Sequence, residues 1–480
     1  MDKADRLPSQ SPSTNADKAS ISPEKIAGSY DVILVGGGPA SRILNKFLHI
    51  FDPDVRTLVI RDEERIVNHC GTPYIVEGVI PWEKGLISEK LVTQFGTPIL
   101  VDPVVGGDPE AHEVETASGR RIGYKTLVFA TGTDQVLPPI PGTDLENVLK
   151  IRRTQDVTAA IERLAGLKRV TILGAGYIGI EFAVALRHLG KEVVVIEMAS
   201  HVMGGRIDPA MAGKIQERLA SMGIEILTGR RAAKILGDVS VRAVEMDGGG
   251  SVETDAVLSS VGVRPLIDYA PAFGLNTTRN GIVVDDFFAT GVPDIFAVGD
   301  CIETRSVVTG SPVPGKLGSN AGQMARRLAL NMAGRPAPYS GVVNAAVTKI
   351  AGLAYGGAGL SEADAVAGNI PVHVTRGTSS TTYENMPDPR PVEAKLVYRK
   401  GDLRLLGGEI LGEFNPSGFV ETLAQLVERG ATLENVLTMS YSSHPELTPK
   451  TAKPYFVWAS EPLLKSLVKS GALAVFEEMR

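Results

Sequence analysis

Two cysteines, Cys70 and Cys301, are the only thiols among 480 residues, and their settings differ. Cys70 lies in Asn68-His69-Cys70-Gly71-Thr72-Pro73-Tyr74, a loop bounded by glycine and proline. Cys301 follows Asp300 in a small, apolar context, the setting of a buried cysteine that packs as a small hydrophobe. Two thiols are too sparse for a disulfide-stapled secreted fold, so a reducing compartment, the cytoplasm, is expected. There the thiolate is the reactive form, and Cys70 is the candidate for chemistry.

Such chemistry needs elements that bring a redox partner to the sulfur, and two glycine-rich turns are suited to that. Residues 31–35 (DVILV) read as a buried parallel strand. Gly36-Gly37-Gly38-Pro39-Ala40-Ser41 follows, then a helical stretch through Phe47. Glycines let the backbone approach a pyrophosphate, and the helix N-terminus presents free N–H groups and a positive dipole end. The pattern recurs: Val170–Leu173 reads as a strand, followed by Gly174-Ala175-Gly176-Tyr177-Ile178-Gly179 and a helix to about Leu189. The next strand, Val193–Ile196, ends in Glu197, 23 residues beyond Gly174. That is the spacing of a carboxylate for a ribose 2′-hydroxyl, and it would repel a 2′-phosphate, so NADH is favoured over NADPH.

The totals narrow the class. The length implies two to four domains. A hydrophobic fraction of 43% with 22% charged residues is that of a globular protein. A net charge of −6 with no basic run argues against nucleic-acid or anionic-membrane partners. No apolar run is long enough to span a bilayer, and no metal site is expected. Residues 1–28, rich in Ser, Pro, Lys and Asp, read as a disordered leader.

Two glycine units at this separation resemble the two-dinucleotide flavoprotein disulfide reductases, and further segments carry the resemblance. Residues 127–133 (LVFATGT), with Ala130, Thr131 and Gly132, and then Pro138-Pro139-Ile140-Pro141-Gly142, look like the family's crossover into its NAD domain. Residues 255–265 (DAVLSSVGVRP), with Gly262, look like the return crossover. Residues 281–300 match the second FAD motif, whose last acid, here Asp300, would hydrogen-bond the flavin's ribityl chain. Residues 315–334 resemble the helix that points at the flavin ring. The resemblance implies an α/β fold with two Rossmann-like dinucleotide-binding domains and a C-terminal α+β dimerisation domain. FAD would occupy 29–150 with 273–340, NADH 151–272, and the dimer interface 341–480. FAD contacts are expected from Gly36, Gly38, Pro39, Ala40 and Ser41, and NADH contacts from Gly174, Gly176, Ile178, Gly179 and Glu197. Two departures stand out: Ser41 replaces the third glycine, and Arg61 follows Ile60 where the family has the acid for the FAD ribose, so Asp62 or Glu63 would substitute.

In one branch of the family a second redox cysteine follows five positions after the first; here that position is Ile75. Cys70 therefore resembles the single-cysteine branch: coenzyme A-disulfide reductases, NADH oxidases and peroxidases, and persulfide or polysulfide reductases. It would cycle through a mixed disulfide, a persulfide or a sulfenic acid, and a lowered thiol pKa is usual at such sites. His69 either tunes that thiolate or is a surface or packing residue. By resemblance, Tyr177 would gate the nicotinamide and Glu181 face it. Tyr383, Tyr441 and His444, catalytic by the same resemblance, would sit opposite the Cys70 of a homodimer partner. Pro449 replaces the glutamate that orients such a histidine, although Glu446 lies nearby.

The leading expectation is NADH-dependent reduction of a small disulfide, persulfide or polysulfide, with coenzyme A species favoured. The alternatives are an NADH oxidase or peroxidase working through a Cys70 sulfenate, and a flavin electron-transfer reductase for a small redox protein.

Overall fold

The structure, a computed structural model, describes residues 28–473. The expected leader lies outside the described residues except for Gly28. Strands Ile99–Val101, Thr57–Arg61, Ser29–Val35 and Arg121–Phe129 lie side by side and parallel. Ile295–Ala297 adds in parallel to the end of Arg121–Phe129, and Glu113–Thr116 and Val104–Asp108 extend the sheet antiparallel. The central strands are apolar on both faces because both faces are covered: Ile33, Leu34, Leu58, Ile60, Leu127, Val128 and Phe129 are all essentially inaccessible. Each such side chain contributes roughly 1.5–3 kcal/mol of transfer free energy.

The second unit repeats the plan with five parallel strands in the order Ile224–Thr228, Glu192–Glu197, Arg169–Leu173, Ala256–Ser259, Val148–Leu149. The segments expected to cross between units pair with each other, Thr133–Gln135 antiparallel to Val263–Pro265. A third, wholly antiparallel sheet runs Ala346–Ile350, Leu353–Gly359, Leu405–Gly412, Pro391–Arg399, Val372–Ser380. Helices Ser417–Glu428 and Tyr455–Lys469 cover it, burying Phe419, Leu423, Phe456 and Leu463. The helix expected over 315–334 runs Gly318–Met332, and the first helix continues past Phe47 to Phe51. Among the described residues no helix is long and apolar enough to cross a membrane.

Strand order reverses beside the first strand of each parallel sheet, and crevices open at the carboxyl ends there. Gly36 and Gly174 occupy those two points with φ of +118° and +97°. A Cβ on Gly36 would lie 2.2 Å from the Ala130 carbonyl oxygen, and one on Gly174 2.6 Å from that of Ser260. Only glycine allows the neighbouring strand end to approach so closely. Gly36→Ala is thus expected to lower the midpoint of thermal unfolding by about 5 °C or more, through combined strain and clash. An unchanged midpoint in a scanning calorimeter would refute that close approach.

Candidate active site

Each crevice ends in a helix whose N-terminus no side chain caps. Gly38 precedes helix Pro39–Phe51 and Gly176 precedes helix Tyr177–His188, neither end capped by a side-chain hydrogen bond. A Cβ on either glycine would meet nothing within 4 Å. Open space over unsatisfied helix N–H groups fits the pyrophosphate of a dinucleotide at both places. Pro39 stands in the first helical turn, where its missing N–H costs nothing. The third fingerprint positions differ in tightness. A Cβ on Gly179 would come within 2.0 Å of the Gly174 carbonyl, whereas Ser41 fits, fully buried, with its hydroxyl unpartnered.

The acids near the two cradles behave differently. Glu197 is buried and accepts hydrogen bonds from the Ala175 and Ala199 N–H groups, both at 2.7 Å. It therefore shapes the glycine turn and keeps lone pairs free for a further donor. Asp62 is instead half-exposed and ion-paired with Arg153 at 2.8 Å, and Glu63 accepts from the Thr154 N–H at the start of helix Thr154–Gly166. Arg61 is buried, donating to the Glu64 carbonyl and pairing with Glu89. Ala130 is buried, Thr131 donates to the Leu266 carbonyl at 2.7 Å, and Gly132 and Gly262 take positive φ where the paired crossover strands begin.

Cys70 lies on a one-turn 3₁₀ helix, His69–Gly71, running into helix Thr72–Val76. Thr72 braces the turn by donating to the His69 carbonyl at 2.9 Å. The short helix packs against Tyr177–His188, bringing the thiol under the influence of Glu181. Cys70 opens to solvent, yet its thiol pKa is raised: surrounding protein disfavours the thiolate, and the Glu181 and Asp300 carboxylates add to this, while Arg152 opposes them. The expectation of a lowered pKa is corrected accordingly. His69 does not supply the missing positive charge, because the protein packed around its ring and the nearby Arg152 and Arg42 depress its pKa to about 4. Arg152 is the nearby cation. Its Nε donates to the Thr133 carbonyl at 2.6 Å and its Nη2 lies 3.6 Å from Asp300. Burial raises the pKa values of Asp300 and Glu181, and Thr348 donates to Glu181 at 2.7 Å. Tyr177, four residues before Glu181 on the same helix face, has its hydroxyl pKa raised strongly by burial. Cys301 is inaccessible, its Sγ donating to the Val298 carbonyl at 3.2 Å.

Tyr383, Tyr441 and His444 gather on one exposed loop cluster of the third unit. The Tyr383 hydroxyl meets Ser443 Oγ at 2.7 Å, which lowers its pKa, and its N–H donates to the Pro445 carbonyl. The Tyr441 hydroxyl donates to the Thr451 carbonyl at 2.8 Å. His444 Nδ1 accepts from the Glu446 backbone N–H at 3.3 Å, so that residue's backbone, not its carboxylate, orients the ring. None of the three is among the groups acting on Cys70 of the same chain.

Residues 30–325 match the family described as pyridine nucleotide-disulphide oxidoreductase, and residues 345–453 match its dimerisation domain. Over 427 residues the chain is 30% identical to a protein named NADH oxidase from Methanocaldococcus jannaschii, covering 87% of this chain and 95% of that one. The chain belongs to the pyridine nucleotide-disulphide oxidoreductases. It is also 27% identical over 427 residues to the NAD(P)H coenzyme A polysulfide/persulfide reductase of Pyrococcus horikoshii, covering 87% of this chain and 95% of that one. A solved structure of a NAD-dependent persulfide reductase from A. fulgidus shares the fold, with a TM-score of 0.86 at 24% identity over 92% of this chain and 84% of that one. Like its family, this oxidoreductase works with FAD and NAD(P)H.

Sequence reasoning passed over Arg152, because no glycine motif or cysteine spacing marks an arginine in Ile151-Arg152-Arg153-Thr154. Its position at the end of the crossover was the available signal. In this oxidoreductase the balance around Cys70 predicts opposite shifts: Glu181→Gln should move the pH profile of Cys70 alkylation by iodoacetamide downward, and Arg152→Met should move it upward. Coincident profiles for both variants and the parent would refute the electrostatic assignment.

Proposed function

We propose that this protein is an NADH-dependent reductase of low-molecular-weight disulfides, persulfides or polysulfides, with coenzyme A species the favoured substrates, and that Cys70 is its redox residue. One observation carries the reading: Cys70 is exposed and within electrostatic reach of Asp300 of the first unit and Glu181 of the second, while Cys301 is sealed in the core and hydrogen-bonded. The sulfur that pairs with Cys70 therefore comes from the substrate.

In this reading the first unit (29–150 with 273–340) holds FAD at Gly36, Gly38, Pro39, Ala40, Ser41 and Asp300. The second (151–272) holds NADH at Gly174, Gly176, Ile178, Gly179 and Glu197, with Tyr177 gating the nicotinamide. When bound, FAD supplies the electron pair taken from NADH as hydride. The Cys70 thiolate attacks one sulfur of RS–SR, that S–S bond breaks, and RS⁻ leaves and takes a proton. Two electrons then cleave the Cys70–SR bond, a second RSH departs and the thiolate returns, so RSSR, NADH and H⁺ become 2 RSH and NAD⁺. Arg152 favours that thiolate. His444, Tyr383 and Tyr441 protonate the leaving sulfur from the partner chain of a homodimer, a reading supported by the dimerisation domain at 345–453.

The Methanocaldococcus relative favours a second reading, NADH oxidation by oxygen through a Cys70 sulfenate. Steady-state assays separate the two: coenzyme A disulfide or polysulfide should drive NADH oxidation faster than oxygen or peroxide. Cys70→Ser should abolish that turnover while NADH still bleaches the flavin. Rapid oxygen or peroxide turnover with inert disulfides would sink the sulfur reading, and undiminished disulfide turnover in Cys70→Ser would sink the mechanism. Mixing inactive Cys70→Ser and His444→Ala homodimers should regenerate about a quarter of the sites, since a heterodimer holds one intact pair. No recovery after subunit exchange would refute catalysis across the interface.

A further inference from the structure

Helix Pro209–Ser221 of the second unit meets the third sheet, and a buried ionic cluster closes the seam between them. Asp208, the N-cap of that helix, accepts the Ala210 and Met211 N–H groups on Oδ1. Its Oδ2 pairs with Lys395 Nζ at 2.9 Å and with Arg376. The Asp208 backbone N–H donates to Glu409 Oε2 at 3.1 Å, and the Tyr355 hydroxyl donates to Glu409 Oε1 at 3.2 Å. Lys395, cross-strand from Glu409, lies 3.8 Å from Oε2 and also pairs with Glu362 at 2.8 Å. Asp208, Tyr355, Lys395 and Glu409 are each at most 4% exposed.

The charges of this cluster do not balance. Three carboxylates, Asp208, Glu362 and Glu409, share two cations, Lys395 and Arg376, so full ionisation leaves one negative charge in excess. An uncompensated charge away from water is costly, and one proton removes it. Geometry selects the acid that takes it. Asp208 holds two cations and two backbone donors, and the Glu362 side chain is 41% exposed to water. Glu409 is sealed from solvent, with Lys395 at the longer distance. We propose that Glu409 holds a proton in the closed seam, and that losing it loosens the second unit from the third.

The local environment supports this assignment. Burial lifts the Glu409 carboxyl to about 7, against the opposing pull of Lys395. At Asp208 the bonds from Lys395 and Arg376 outweigh burial and hold the carboxyl at about 2. The other titratable groups facing Glu409, the Tyr355 and Tyr177 phenols, are kept protonated by burial. A proton on Oε1 reverses the Tyr355 bond and leaves Oε2 to accept from the Asp208 N–H. A carboxyl raised by folding contributes stability that is full below its unfolded value and is lost as pH rises through 7. Above pH 7 Glu409 and Asp208 then face each other across the seam as like charges. The segment that ends at Asp208 starts from Glu197 and holds the second glycine turn, Met203 N–H donating to the Ala175 carbonyl at 2.7 Å. The proton is thereby linked to one wall of the second cradle, whatever substrate Cys70 meets.

Hydrogen exchange with mass spectrometry on the FAD-loaded protein reads the seam, and comparing proteins at one pH cancels the chemical pH dependence of exchange. Over residues 203–214, Glu409→Gln, neutral at every pH, should match the parent at pH 6. At pH 8.5 it should exchange more slowly than the parent by up to about 10-fold, the linkage factor for a carboxyl at about 7 relative to its unfolded value. Infrared spectra of the parent should show a neutral carboxyl that titrates near pH 7 and is missing from Glu409→Gln. Tyr355→Phe removes a donor that favours the carboxylate, so its loss of protection should begin at higher pH than in the parent. That variant keeps the ring and decides the matter should Glu409→Gln fail to fold. Exchange in Glu409→Gln as fast as the parent's at pH 8.5 would overturn the clamp. So would the absence of any carboxyl titrating between pH 6 and 8, or a parent-like pH profile in Tyr355→Phe.

Discussion

The helix Tyr177–His188 touches all three units of the chain, and the placement of Tyr177, Glu181 and Cys70 follows from how it packs. Ile180, Phe182, Ala183, Ala185 and Leu186 are buried, which fixes the helix to the second sheet. Its outer edge reaches the other units: His188 meets Glu77 of the first unit at 2.7 Å, Glu181 meets Thr348 of the third, and the Tyr177 ring lies 6.3 Å from that of Tyr355 between centroids. A rigid cylinder held this way turns a phosphate cradle, a tyrosine and a carboxylate into one set of fixed separations. The short Thr72–Val76 helix, packed against it, brings Cys70 into the same frame.

Electrostatics at that frame are set by shortage of water as much as by charge. Surrounding protein disfavours ionisation of Cys70, Glu181 and Asp300 together, and Arg152 is the cation that offsets it at both Cys70 and Asp300. Arg152 is itself held by a backbone carbonyl at the crossover, so its position depends on the pairing of Thr133–Gln135 with Val263–Pro265. The neutral His69 next to the cysteine leaves this balance to a residue 82 positions away. The site is thus coupled to the joint between the units: whatever shifts the crossover also shifts the charge seen by sulfur.

Much was legible before any coordinates. Gly36, Gly174 and Gly179 announced two strand–turn–helix units because close backbone approach, with positive φ at the first two, restricts those places to glycine, while Gly38 and Gly176 leave open space over the helix starts, a local and residue-specific rule. The burial of Cys301 and the alternation of strands and helices were equally readable, since they depend on neighbours along the chain. Departures were readable too, but their resolution was not. Nothing in Arg61-Asp62-Glu63 foretold that Asp62 would turn to Arg153 and Glu63 to the start of the next helix.

By itself the sequence determined the two dinucleotide cradles and the single candidate sulfur, because each is written in residue type and short spacing, while a third, α+β unit came with the family resemblance. Only the tertiary structure decided that Arg152 rather than His69 is the charge beside Cys70, that the thiol is pushed up rather than down, and that Glu181 is held by Thr348 of the third unit. Those outcomes come from desolvation and from contacts between residues tens to hundreds of positions apart. Neither quantity has a local signature, since both exist only once separate sheets have packed against the same helix.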